Sequence, residues 1–123
     1  MCGTQATRRW PVLLLLHGCC DGYLSWTRST DIEKLTAATP VLIVLPDAGS
    51  VGFYSDWQSG GPKWETFHLI ELMRILAETY RASDVRAVAG LSMGGLGALV
   101  YSARHPGMFR AAWPMLTSAL GIR

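Results

Sequence analysis

Three short apolar runs, each closed by a turn, constrain this chain more than any other feature: "PVLLLLHG" from Pro11, "VLIVLPD" from Val41 and "VRAVAGL" from Val85. They are short, rich in Leu or β-branched residues, and lack the strict alternation of a strand with one wet face. That is the pattern of strands buried on both faces of a parallel sheet. Parallel strands need long, usually helical, crossovers. Ser29 or Thr30 can cap a short helix through "DIEKLTAA", with Glu33 placed for a capping box if Thr30 is the cap. A longer helix is expected from about Trp64 to Tyr80, with Phe67, Ile70, Met73 and Ala77 at helical intervals beside Leu69, Leu72 and Leu76. "GGLGALVYSARH" reads as a third helix, and "FRAAWPM", after the Pro106-Gly107 turn, as a fourth strand. The alternation predicts an α/β fold, a parallel sheet of about four strands with helices on both faces.

With 123 residues, 50% hydrophobic and 16% charged, the chain suffices for one globular unit at most. No internal repeat, low-complexity tract or linker divides it. Eleven Lys and Arg against nine Asp and Glu leave a net charge of only +2, and the basic residues are scattered, so nucleic acid is not an implied partner. Cys2, Cys19 and Cys20 lack metal-ligand spacing, and an adjacent pair cannot bridge without strain, so all three read as reduced thiols. No metal or cofactor is expected. "RRWPVLLLLHGCC" imitates a secretory signal with a lipobox-like ending. Its apolar core, Val12 to Leu16, is shorter than the roughly 7 to 15 residues usual there, and His17 is a poor cleavage-site residue. A cytoplasmic location is therefore preferred, and no segment approaches the ~18 apolar residues of a membrane span.

Within the third run and the helix after it stands Gly90-Leu91-Ser92-Met93-Gly94, which fits G-x-S-x-G, the nucleophile elbow. The pattern is weak in a chain with 13 glycines; its context, a strand entering and a helix leaving, gives it meaning. A serine presented above a sheet sits on a strained turn whose neighbours two residues away crowd the backbone, and Gly90 and Gly94 remove the offending Cβ atoms. The helix starting there directs free N–H groups toward the serine, so the Met93 N–H is a candidate donor to a developing oxyanion. The alternative is a Ser-Gly turn with no chemistry. Cys19 N–H, in the "HGCC" loop after the first strand, is the second donor candidate. His17 reads as a hydrogen-bonded strand-end residue or, with Gly18, as a substrate contact. Tyr54 and Trp57 either line an acyl pocket or pack their loop on the sheet. His68 reads as a packing or surface residue, and Asp47 and Asp56 as residues that order the loop.

"LLLLHG", "PVLIVLPD", "GFYSDW", "KWETF", "GLSMGG" and "ARHPGMF" occur in the order seen in esterase D-like α/β-hydrolases, and the chain also resembles the mycolyltransferase branch. The resemblance runs to about Ala112. It implies acyl-ester chemistry on a small-molecule ester, thioester or acyl-sugar: hydrolysis, or acyl transfer to a sugar. Ser92 maps onto the family nucleophile, Cys19 and Met93 onto its oxyanion donors. It also implies the strand order second, first, third, fourth, all parallel.

The departures shape the expectation. Mycolyltransferases usually carry Asp-Gly where this chain has His17-Gly18, which favours the esterase branch, and "WPMLTSALGIR" does not follow the family pattern. In this fold the triad order is Ser, acid, His, and no Asp or Glu follows Ser92. The later histidine, His105, falls ~20 Å along the helix leaving the elbow. The expectation is a single incomplete α/β-hydrolase domain over residues 1–123, a truncated serine esterase with little activity alone. The alternatives are a mycolyltransferase-like fragment, or a non-catalytic interaction module that self-associates through bare sheet edges.

Overall fold

The computed structural model describes residues 8–20, 22–49, 52–58 and 60–115. Four strands, β1 (Trp10–Leu16), β2 (Leu42–Val44), β3 (Ala82–Leu91) and β4 (Ala111–Met115), form one sheet in the order β2-β1-β3-β4. All three pairings are parallel, as the sequence predicts. Leu14 pairs with Val44 and Leu16 with Gly90, so the ends of β1, β2 and β3 emerge along one edge.

The connection from β1 to β2 holds two short helices, α1 (Ser25–Ser29) and α2 (Ile32–Thr36). Only the second was expected. The capping box with Glu33 does not form, because Asp31 and not Thr30 takes the cap position; the Thr30 hydroxyl accepts the Ile32 N–H at 3.2 Å instead. The sheet is crossed leftward from β1 to β2 and rightward afterwards, so right-handed crossovers put α1 and α2 on the face opposite the later helices.

The helix expected from Trp64 is an unbroken rod of α3 (Trp64–Thr66), a π-helical segment (Phe67–Leu72) and α4 (Met73–Thr79). Its buried stripe is Glu65, His68, Leu69, Met73 and Leu76. Phe67 and Ile70, expected in the core, are 37% and 51% exposed. The stripe turned away from them because it admits two polar side chains, His68 and Glu65, whose polar atoms are paired (below), at a cost far smaller than that of unpaired burial. The last helix, α5 (Met93–Arg104), lies beside this rod, and the two touch where the Tyr101 hydroxyl meets His68 Nδ1 at 2.8 Å.

The core joins Val12, Leu14, Leu16 and Val88 of the sheet to Leu69, Met73 and Leu76 of the rod and Ala98 and Tyr101 of α5. Pro114 is tolerated in β4 because no described strand needs its missing N–H. None of the described helices is long and apolar enough to cross a membrane.

Candidate functional site

Ser92 sits between the last residue of β3 and the first of α5 with φ 56° and ψ −111°, a region that L-residues rarely enter. Close packing forces this turn. A Cβ on Gly90 would stand 2.1 Å from the Gly94 carbonyl oxygen, and one on Gly94 would stand 2.3 Å from that of Leu16. The elbow is thus pressed against itself and against the end of β1, so neither position accepts a side chain. Ser92 N–H donates to Met115 O at 2.7 Å, tying the turn to β4.

The register that pairs Leu16 with Gly90 carries His17 and Gly18 alongside Leu91 and Ser92. A Cβ on Gly18 would lie 3.7 Å from Ser92 Cβ. Around this juxtaposition is a cavity of about 250 Å³ lined by His17, Gly18, Cys19, Trp26, Leu91 and Ser92, among others. Met93 is the first helical residue, so its N–H has no acceptor within α5. The sulfurs of Cys19 and Cys20, expected as reduced thiols, lie against each other in the loop after β1; Cys2 lies outside the described residues.

His17 is 1% exposed, and both ring nitrogens are engaged. Nε2 accepts the Ala48 N–H at 3.0 Å, with the half-exposed Asp47 carboxylate 3.4 Å away, and Nδ1 lies 2.8 Å from Gly18 O. Its backbone carbonyl accepts the Tyr54 hydroxyl at 2.8 Å. Tyr54 is completely buried and does not line the cavity: its ring packs against Gly97, and burial pushes its phenol pKa far up. Trp57 does not line the cavity either; its indole N–H donates to Gly52 O at 3.2 Å and its ring covers Gly61. Both aromatics make loop-packing contacts, one of the two roles read from the sequence.

His68 is fully buried, with Nε2 2.7 Å from Asp47 O, and burial lowers its pKa to about 4. His105 reaches Glu65 at 2.6 Å, and Arg104 joins the same carboxylate at 3.1 Å. Asp56 orders the loop as expected: its carboxylate accepts the Thr66 N–H at 2.9 Å and the Thr66 hydroxyl. No group of three or more His, Cys, Asp or Glu side chains able to hold a metal occurs among the described residues.

Sequence reasoning missed Trp26. It lies in the crossover that follows β1, and the crevice beyond the carboxyl ends of parallel strands is where such sheets bind ligands, so its position was the available signal. It also missed the pairing of His68 with Tyr101, 33 residues apart, for which the sequence holds no local signal.

Residues 3–117 match the family described as "Putative esterase". The chain is 46% identical over 114 residues to Esterase Rv1288 of Mycobacterium tuberculosis, a match covering 85% of this chain and 25% of that protein. It is 34% identical over 110 residues to the diacylglycerol acyltransferase/mycolyltransferase Ag85A of Mycobacterium gordonae, covering 80% and 32%. Among solved structures, a ferulic acid esterase superposes with a TM-score of 0.71 at 33% identity, covering 87% of this chain and 46% of that one. The chain thus spans about a quarter to a third of the length of these curated relatives.

Proposed function

The chain belongs to the Esterase family, and from that premise we propose that it is a partial α/β-hydrolase domain built for serine carboxylic-ester hydrolysis, with Ser92 as nucleophile and the N–H groups of Met93 and Cys19 as the oxyanion hole. The single observation that carries this reading is the strained Ser92 at a strand-to-helix turn facing the His17-Gly18 loop across a small cavity. Ser92 Oγ would attack the acyl carbon, losing its proton to solvent; the carbonyl oxygen, becoming an oxyanion, would gain the two N–H donors, and collapse would expel the alkoxide, which takes a proton from solvent to leave as the alcohol, leaving an acyl-serine for water to cleave.

Among the described residues, His17 and His68 each use both ring nitrogens in buried hydrogen bonds, and His105 is turned to Glu65. With none of these histidines free as a base, the described residues by themselves supply only the residual catalysis of oxyanion stabilisation and binding, orders of magnitude below a full triad. The test is labelling with a fluorophosphonate probe at high concentration and long incubation, wild type against Ser92→Ala, because a serine without a base reacts slowly. Labelling that survives the substitution, or is absent from the wild type, overturns the assignment of Ser92.

A second reading, self-association through the sheet edge, is favoured by Trp113 on β4, which is 70% exposed. Its test is sedimentation of wild type against Trp113→Lys: a monomer at high concentration in both eliminates it.

A further inference from the structure

Four buried or half-buried groups that the proposed chemistry does not use form, with the Gly18-Cys19 peptide, one continuous chain of hydrogen bonds. The Tyr101 O–H meets His68 Nδ1 at 2.8 Å, and His68 Nε2 meets Asp47 O at 2.7 Å. The same peptide unit presents the Ala48 N–H to His17 Nε2 at 3.0 Å, and His17 Nδ1 meets Gly18 O at 2.8 Å. The peptide holding that oxygen ends in the Cys19 N–H.

Donor logic fixes every direction. Asp47 O and Gly18 O can only accept, so His68 must carry its proton on Nε2 and His17 on Nδ1. His68 Nδ1 is then free to accept from Tyr101, and His17 Nε2 from Ala48. The other tautomer of His17, with its proton on Nε2, would set its N–H against the Ala48 N–H and leave a buried donor unpaired. All the bonds therefore point one way, and bonds in such a chain polarise one another.

We infer that this relay is a positioning device, in which His17, braced by His68 from the π-helical segment, holds the Gly18 carbonyl and so aims the Cys19 N–H at the oxyanion beside Ser92. The peptide is planar and trans, so fixing its oxygen on the buried ring sends its N–H the opposite way, where the cavity is bounded by Cys19 and Ser92. The π-helical turn fits this role, since such turns recur where a helix must offer a side chain to a site. His17 acts through the peptide and not on substrate. The inference rests on the oxyanion role proposed for Cys19, but its geometry can be measured apart from any chemistry.

The first measurement is the tautomeric state of both rings, from long-range ¹H–¹⁵N spectra of ¹⁵N-histidine-labelled protein at neutral pH. His17 protonated on Nδ1 alone and His68 on Nε2 alone is expected; any other pair breaks the relay and overturns it.

The second uses two substitutions that split the roles of His17. His17→Asn keeps a donor near Gly18 O but loses the acceptor for Ala48; His17→Gln does the reverse. The relay predicts that the Cys19 amide resonance moves more in H17Q, and that fluorophosphonate labelling of Ser92 is at least ~10-fold slower in H17Q than in H17N, a fraction of what loss of a whole oxyanion donor costs. The opposite ranking, or equal effects with unchanged thermal midpoints, would mean that His17 only ties β1 to β2, and overturns the inference. Where wild type is not labelled, the assignment of Ser92 fails and the tautomers and the amide resonance alone decide the relay.

Discussion

Gly94 lies so close to the end of β1 that a Cβ there would stand 2.3 Å from the Leu16 carbonyl oxygen and 2.7 Å from that of His17. The atoms are backbone, so no rotamer change relieves the contact. This one approach seats the elbow against the His17-Gly18 loop.

Gly94→Ala is therefore expected to lower the unfolding free energy by ~3 kcal/mol or more, beyond the usual range for overpacking, because strands and not side chains must move. Gly107→Ala is the comparison: Gly107 has φ +86° and nothing within 4 Å of an added Cβ, so the cost there is only the ~1–2 kcal/mol of left-handed backbone. Urea denaturation of both variants checks the ranking, and equal losses would contradict it.

Acid should weaken the fold through His68. Its folded pKa, about 4, lies below its ordinary 6.5 because burial disfavours the imidazolium. Between these values the unfolded chain binds the extra proton and the folded one does not, so stability is full above pH 6.5 and falls as pH drops toward 4. The loss over that window is about 3 kcal/mol at ~1.4 kcal/mol per pH unit. Chemical denaturation from pH 7 to 4.5 should show that slope in the wild type and a flatter one in His68→Gln; parallel slopes would remove His68 as the cause.

Asp56→Ala should destabilise the molecule by roughly 1 kcal/mol, in the range for loss of a helix N-cap, because Asp56 caps the rod from outside by taking the Thr66 N–H. Desolvation raises the Asp56 carboxyl pKa, but the Thr66 bonds and the Lys63 charge outweigh it and hold the pKa below its ordinary value. Above its unfolded pKa the bond is at full strength; it is lost as pH falls through the lowered one. A difference in thermal midpoint between variant and wild type that is present at pH 7 and gone in strong acid is expected.

Hydrolysis of short-chain nitrophenyl esters by the chain alone should be slight. Robust turnover abolished by both His17→Ala and Ser92→Ala would show instead that His17 leaves its buried partners to act as a base.

Much of the fold was legible in the chain itself. Apolar runs at Val12–Leu16 and at Val85–Leu91, the second broken only by Arg86, with amphipathic segments between, point to parallel strands and crossovers, because the period of burial is written in residue order. Strand order followed from the family resemblance, and the strained Ser92 from glycines flanking it on both sides. The second is a local fact of the chain; the first needed the family pattern, because right-handed crossovers alone allow the second strand on either side of the first.

Tertiary structure decided what contact between distant residues decides. Between the two roles that the sequence left open for Tyr54, the fold supplies the contacts of loop packing, because Gly97, on a helix 43 positions later, opens space for its ring. Phe67 yielded the buried face to His68 because Tyr101 and Asp47 stood ready to satisfy both imidazole nitrogens. A histidine in a sequence is polar until its partners are known; burial became affordable only when three elements met, and no spacing along the chain records that meeting.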